Sequence, residues 1–221
     1  MPVLLGYWKV RGLAQPIRYI LEYAGIEYKE KFYEFGPAPE YNKDSWFKEK
    51  HNLGLSFPNV PYLIDGDVKL TQSNVILRYL AGKANLLGTN DDERMRADWV
   101  NEVVRDVRHK ISMAAYNPKW EELKPGIVKY AGEMLTSFSD FLGGNKWFAG
   151  DNLTYTDFVM HELLYILVKV DSSILDGYKN LQGMKDRFEA IPAIAAYRET
   201  DLSKSFPIYA KTATFGGVVI D

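Results

Sequence analysis

The chain has 221 residues, 47% of them apolar and 25% charged, enough for a substantial core organised as one large or two small domains. Its net charge of −2, with basic and acidic residues interspersed, argues against a polyanion-binding surface and so against a nucleic-acid partner. The absence of cysteine excludes disulfides, thiolate metal sites and intrinsic dithiol chemistry, so any sulfur chemistry must use a thiol carried by a ligand. From the N-terminus, Met1-Pro2-Val3-Leu4-Leu5-Gly6 lacks the charged region and long apolar region of a secretory signal. No apolar run approaches the roughly 18 residues of a membrane span, so a cytosolic, membrane-free protein is expected.

Val3 to Tyr7 is a short apolar run of buried-strand type, and the polar turn at Arg11-Gly12 leads to Pro16, suited to a first helical turn. Ile17, Ile20, Leu21 and Ala24 follow helical spacing, Gly25 is placed to cap, and Tyr28 to Tyr33 alternates as a strand. A loop through Gly36-Pro37-Ala38-Pro39 and a short helix near Ser45 to Lys50 come next. The run from Phe57 to Ser73 then reads as a strand opened by Pro61, a turn at Asp65-Gly66 and a polar helix start at Thr71-Gln72-Ser73. Pro61 has no N–H, and its X-Pro bond is one of the few where a cis peptide costs only about 0.5–1 kcal/mol. Val60 could therefore offer its main chain to a ligand. The helix start ahead of Val75, Ile76, Tyr79 and Leu80 has free N–H groups that favour a carboxylate or phosphate. The same segment also reads as an ordinary capped helix after an ordinary hairpin. The order βαβ-ββα is that of a thioredoxin-like domain.

After Gly88-Thr89-Asn90 the pattern becomes helical throughout, giving an α/β plus all-α fold class with domains at residues 1–86 and 87–221, the second a helical bundle. Met95, Trp99, Val103, Val107 and Ile111 are expected to share one helix face up to Tyr116, with Pro118 as the stop. Ile127, Tyr130, Leu135, Phe138 and Phe141 belong to the next helix, ended by Gly143-Gly144. Thr154 with Asp157 reads as a capping box, and Leu153 with Phe158 as its hydrophobic staple. The six methionines and most aromatics read as packing.

His51, His109 and His161 are widely spaced with no adjoining acidic cluster, so no metal site is expected. No nucleophile elbow, P-loop or Rossmann glycine pattern is present, which weakens hydrolase, nucleotidase and dehydrogenase readings. Tyr7 stands at the C-terminal end of the first strand, the edge where such folds place chemistry. Its hydroxyl either stabilises a sulfur anion, lowering the pKa of a bound thiol, or is that of a satisfied strand tyrosine.

Leu5-Gly6-Tyr7-Trp8 with Arg11-Gly12-Leu13, Pro58-Asn59-Val60-Pro61-Tyr62, Thr71-Gln72-Ser73-Asn74, Tyr116-Asn117-Pro118 and the Thr154 cap closely resemble, in order and spacing, the cytosolic glutathione S-transferases of the mu class. The segment Gly36 to Tyr41 before Trp46 is similar to the loop that sets this class apart. The resemblance implies an enzyme that conjugates the thiolate of reduced glutathione, its co-substrate, to hydrophobic electrophiles in detoxification, without a prosthetic group. Tyr7 would stabilise the thiolate, Val60 beside a cis Pro61 would pair with the cysteinyl backbone, and Gln72 and Ser73 would hold the γ-glutamyl carboxylate. Trp8, Leu13, Lys43, Trp46, Lys50 and Asn59 would surround the rest of the tripeptide, with Trp46 and Lys50 near its glycyl carboxylate. Asp106 would reach the ligand's amino group across a homodimer, in which Phe57 is the aromatic key and Arg78 an interface residue. Val10, Leu13, Tyr116, Tyr209 and Ala210 would line the electrophile site, with Tyr116 donating to the leaving group or oxide and Arg105 and Arg108 near its entrance. Lys43 stands where relatives often have arginine, replacing a fork-shaped contact by a point charge, and the tail from Thr214 to Asp221 is unlike that of vertebrate members. The alternative is a non-catalytic or weakly catalytic carrier of apolar ligands on the same fold.

Overall fold

The structure, a computed structural model, describes residues 2–220; Met1 and Asp221, the ends of the N-terminal stretch and tail discussed above, lie outside the described residues. A four-stranded sheet in the order β2-β1-β3-β4 is built from β1 (Val3–Trp8), β2 (Tyr28–Tyr33), β3 (Tyr62–Asp65) and β4 (Val68–Thr71). β1 runs parallel to β2 and antiparallel to β3, and β3–β4 is a hairpin whose two-residue turn begins at Gly66, at φ +59°. Strand periodicity divides β1 between two cores. Val3, Leu5 and Tyr7 face α1 (Gln15–Tyr23) and α3 (Ser73–Lys83), while Leu4 and Trp8 pack on a smaller cluster of Tyr33, Trp46, Leu55 and Tyr62 beneath α2 (Asp44–Phe47). Gly6 belongs to this second face, where a Cβ would come within 2.1 Å of the Tyr62 ring.

The remaining helices are α4 (Asp91–Ala115), α5 (Trp120–Leu142), α6 (Tyr155–Val170), α7 (Lys179–Glu189), α8 (Pro192–Glu199) and α9 (Asp201–Lys204), with no strand among the described residues after β4. α1 packs on α6 and α8 as well as on α3, so one apolar core runs from the sheet into the helical half. The junction also holds a buried two-pronged ion pair. From the β1–α1 loop, Arg11 donates through Nε (3.0 Å) and Nη2 (2.6 Å) to Glu162 on α6, and Nη2 also reaches the Tyr19 hydroxyl at 3.2 Å. Burial opposes this charge, but the adjacent carboxylate overrides it and holds the Arg11 pKa above the usual arginine range.

Two packing expectations are corrected. Met95 and Trp99 are exposed; the buried seam of α4 is Ala97, Val100, Val104, Val107, Ile111 and Ala114. A strict i, i+4 series advances about 40° per step on a helix of 3.6 residues per turn, so the Met95 to Ile111 stripe winds off the core face toward its N-terminal end. Met113 is likewise exposed, whereas Met160 and Met184 are fully buried. The α6 start matches the expected cap. Asp157 accepts from the N–H of Thr154 (2.8 Å), from its Oγ1 (3.2 Å) and from the Phe148 N–H (2.9 Å), tying the preceding loop to the helix. Thr154→Ala is expected to destabilise the fold by about 0.5–2 kcal/mol, read as a shift in urea midpoint at fixed protein concentration, with catalytic constants unchanged in the folded protein.

Candidate active site

β1 delivers Tyr7 to the C-terminal edge of the sheet, and the chain then turns back through Val10 to Leu13. Gly12 makes that turn possible: its φ is +40°, and a Cβ there would lie 2.6 Å from the Tyr7 hydroxyl. The Tyr7 oxygen accepts the Leu13 N–H at 3.0 Å, which fixes its lone pair and leaves its proton free to be donated. Burial pushes the Tyr7 phenol above its usual range, opposed by the Leu13 N–H, so the hydroxyl stays protonated at neutral pH.

Tyr7 lines a cleft of about 500 Å³ between the sheet edge, α3, α4 and the C-terminal segment. On one side stands the α3 start. Gln72 holds φ +69° and ψ 111°, a sparsely populated conformation outside glycine, and its carbonyl takes the Ile76 N–H at 3.0 Å. The N–H groups of the first turn before Ile76 have no intrahelical acceptor, and Ser73 and Asn74 line the cleft beside them. Trp8, Leu13 and Lys43 also line the cleft, as does Phe35, stacked on Trp8 at 4.5 Å.

Val10, Tyr116, Tyr209 and Ala210 form a further part of the lining, with the Tyr116 and Tyr209 rings 5.7 Å apart. The Tyr116 hydroxyl accepts the Ala210 N–H at 3.0 Å and, like Tyr7, has its pKa raised by burial against an opposing backbone donor. This wall is held in place by the tail. Arg11 and Gly12 donate their N–H groups to Pro207 (2.8 Å) and Ile208 (3.0 Å), and Thr214 and Phe215 donate theirs to the Ala115 carbonyl. Phe215 stacks on Trp120 at 4.6 Å.

The other expected residues lie off this cleft. Trp46 is buried in the second core, stacked on Tyr62 at 6.0 Å, and half-buried Lys50 is 5.4 Å from the Phe47 ring. Asn59 caps the Val60 N–H through Oδ1 at 2.9 Å, and the Val60–Pro61 peptide is cis. Asp106 is exposed on α4, 3.4 Å from Arg105. Phe57 is 75% exposed, and Arg78 pairs with Asp98. The histidines do not converge: His51 and His109 are exposed, while His161 is buried against Glu189 at 2.9 Å. Sequence reasoning missed the Leu13 N–H, the Gly12 approach, and the cleft positions of Phe35, Asn74, Ser112 and Thr212. The glycine in Arg11-Gly12-Leu13 was the available signal for the close approach.

Residues 3–82 match the family model described as glutathione S-transferase, N-terminal domain, and residues 105–201 match its C-terminal domain. The chain is 45% identical over 216 residues to glutathione S-transferase Mu 1 of Bos taurus, covering 98% of this chain and 99% of the relative. It is 46% identical over 213 residues to glutathione S-transferase Mu 1 of Rattus norvegicus, covering 96% and 98%. Among solved structures, the glutathione S-transferase Blo t 8 superposes with a TM-score of 0.89 at 33% identity, covering 96% of this chain and 99% of that one. The pi-class glutathione S-transferase of Onchocerca volvulus gives 0.85 at 28% identity, covering 96% and 100%. With both domain models matched in order and near-complete coverage of mu-class relatives, the chain belongs to the glutathione S-transferase family, in its mu class.

Proposed function

We propose that this transferase conjugates the thiolate of reduced glutathione to hydrophobic electrophiles, with Tyr7 as the group that ionises the thiol. The observation that carries this reading is the Tyr7 hydroxyl, protonated by burial, anchored by the Leu13 N–H and set in a cleft that faces the α3 N-terminus. Donation of its proton to sulfur favours the anion; each pKa unit of lowering corresponds to about 1.36 kcal/mol, starting from about 8.5 for an ordinary cysteinyl thiol. The strained Gln72 and the free N–H groups of α3 fit the γ-glutamyl carboxylate, and Val60 fits the cysteinyl main chain. Trp8, Leu13, Lys43, Trp46, Lys50, Asn59 and Pro61 complete the glutathione site in this reading. Val10, Leu13, Tyr116, Tyr209 and Ala210 hold the electrophile. Rate comes from ionisation and from holding nucleophile and electrophile together, with Tyr116 available to donate to a developing oxide or leaving group.

Steady-state turnover of glutathione with a chloronitrobenzene tests the reading directly. Thioether formation well above the uncatalysed rate supports it; glutathione binding without turnover would transfer the chain to the carrier alternative.

The functional unit in this reading is a cytoplasmic homodimer, with residues 1–86 and 87–221 as its two domains and Asp106 reaching the ligand's amino group in the partner subunit's site. No helix of the described residues is long and apolar enough to cross a membrane. Phe57 projects from a loop at 75% exposure, and Trp99 and Met95 are 60% and 56% exposed on α4, a large amount of apolar surface for a lone monomer. Phe57→Ala is expected to shift sedimentation toward monomer at micromolar concentration; an unshifted profile would remove Phe57 from the interface.

A further inference from the structure

His161 stands in a buried aromatic hub that no step of the conjugation uses. It is fully buried on α6, where its ring stacks on Phe188 of α7 at 4.4 Å and meets the Tyr19 ring of α1 edge-on at 5.5 Å. Tyr19 also makes edge contacts with Phe188 at 5.6 Å and with Tyr197 of α8 at 5.7 Å, so four helices converge on one cluster. Polar contact reaches the imidazole from one direction. His161 Nε2 lies 2.9 Å from Glu189, whose carboxylate also holds Lys185 at 3.1 Å and Arg198 at 2.8 Å. These two cations keep Glu189 ionised and acceptor-only, so in the neutral imidazole Nε2 carries the proton and Nδ1 the lone pair. Among the described residues, Nδ1 has no hydrogen-bond partner. The other charged groups around the hub are Glu162, the next residue on α6, and Arg11 of the β1–α1 loop, which donates to both Glu162 and the Tyr19 hydroxyl. Burial holds the His161 pKa below the usual imidazole value, against the pull of the Glu189 bond.

From this geometry we propose that His161 is an acid-sensitive latch: a proton taken up at Nδ1 opens the α6–α7–α8 junction and, through Tyr19 and Arg11, slackens the turn that anchors Tyr7. The added N–H would find no acceptor. The imidazolium would sit between aromatic rings, with Lys185 and Arg198 already close, so the folded state resists a proton that the unfolded chain accepts. Linkage fixes the sign. The unfolded imidazole takes its proton below about pH 6.5 and the folded one only further down, so the latch's stability is whole above that value and is lost as pH falls beneath it. Burial raises the Glu189 pKa, but the bonds from His161 and Arg198 override it and hold it below the usual carboxylate range; its own loss begins only below about pH 4.3 and runs the same way. Asp157, one turn earlier on α6, is pushed up by burial to about 7, so its contribution runs in the opposite direction near neutrality. That contribution is common to unmodified protein and His161 variants and cancels between them. The latch rests on the transferase reading only for its activity readout.

The test follows urea unfolding of the unmodified protein and His161→Gln, at one protein concentration, from about pH 8 down to about pH 5. Glutamine keeps an N–H for Glu189 and does not titrate. The two stabilities are expected to run parallel above about pH 7. Below about pH 6.5 the folding constant of the unmodified protein should fall relative to that of the variant, by up to about tenfold per pH unit. The kcat of the unmodified protein divided by that of the variant should be flat above about pH 7 and fall in the same window, recovering on return to neutrality; the glutathione thiol titrates in both and cancels from the ratio. A second arm needs no variant of His161: its imidazole NMR resonance, assigned by elimination with His51→Gln and His109→Gln, should reach its titration midpoint in the folded protein below about 6.5. A midpoint at or above that value, or stabilities that stay parallel down to about pH 5, would overturn the latch. A flat kcat ratio beside diverging stabilities would overturn its link to the Tyr7 turn. Absence of turnover at every pH would instead sink the transferase reading, with unfolding and NMR still deciding the latch.

Discussion

Tyr7→Phe is expected to lower kcat for conjugation about a hundredfold at neutral pH while glutathione still binds, because the substitution removes one oxygen and no other contact in the cleft. The phenol donates to the sulfur only in its anionic form, so the loss falls on the ionised state and on the transition state that grows from it. Van der Waals contact with the ring is retained. The Leu13 N–H, 3.0 Å from the Tyr7 oxygen, loses its acceptor in the variant, and this cost falls on free and bound enzyme alike. Kinetics at saturating glutathione, paired with a binding titration, check the expectation. A variant that loses binding in proportion to turnover would mean that Tyr7 holds the tripeptide and does not activate it.

Glu162→Ala is expected to destabilise the fold by about 3–5 kcal/mol, the range for breaking one side of a buried ion pair. Arg11 is 5% exposed and, among the described residues, has Glu162 as its only carboxylate partner, at 2.6 Å; the Tyr19 hydroxyl and the Tyr165 ring face at 4.0 Å cannot neutralise it. Glu162→Ala should therefore cost more than Thr154→Ala, although the latter removes a helix cap in the same element. Arg11 also belongs to the turn that carries Gly12 and Leu13, so the surviving folded fraction should show weaker retention of Tyr7 geometry and a reduced kcat. Urea denaturation at one protein concentration, held fixed because dimerisation would add to apparent stability, reads the first effect. An Ala variant within about 1 kcal/mol of the unmodified protein would show that water or a rearranged side chain reaches Arg11.

What was legible in the sequence was mostly local. β2 falls where alternation placed it, and β1 extends only one residue beyond its expected end, at Trp8. The turn at Gly66, the Thr154 cap and the helix start after Gln72 depend on residues within four positions of one another. Tyr7 and Ser73 could be assigned to one ligand edge because strand C-terminal ends and helix N-termini gather there in such sheets. The long-range pairings carried no such signal. Arg11 and Glu162 are 151 positions apart, and Arg108 and the Gly12 carbonyl 96. Each of these charged residues reads, within its own segment, as an ordinary solvated side chain. Trp46 shows the same limit from the packing side: nothing near it in sequence indicates that Tyr33 and Tyr62 close a second core around its indole. The Met95 to Ile111 stripe misled for a geometric reason, since even spacing at four residues looks like a face over two turns and becomes a spiral over five.

The central claim is that the Tyr7 proton lowers the pKa of a thiol bound in the cleft, and the most direct measurement is the ultraviolet titration of the glutathione thiolate in the binary complex, for the unmodified protein and Tyr7→Phe. The account predicts a bound-thiol pKa at least about one unit below the ordinary cysteinyl value of about 8.5, returning toward that value in the variant while the dissociation constant changes little. Equal pKa values in the two proteins, with glutathione bound in both, would contradict it.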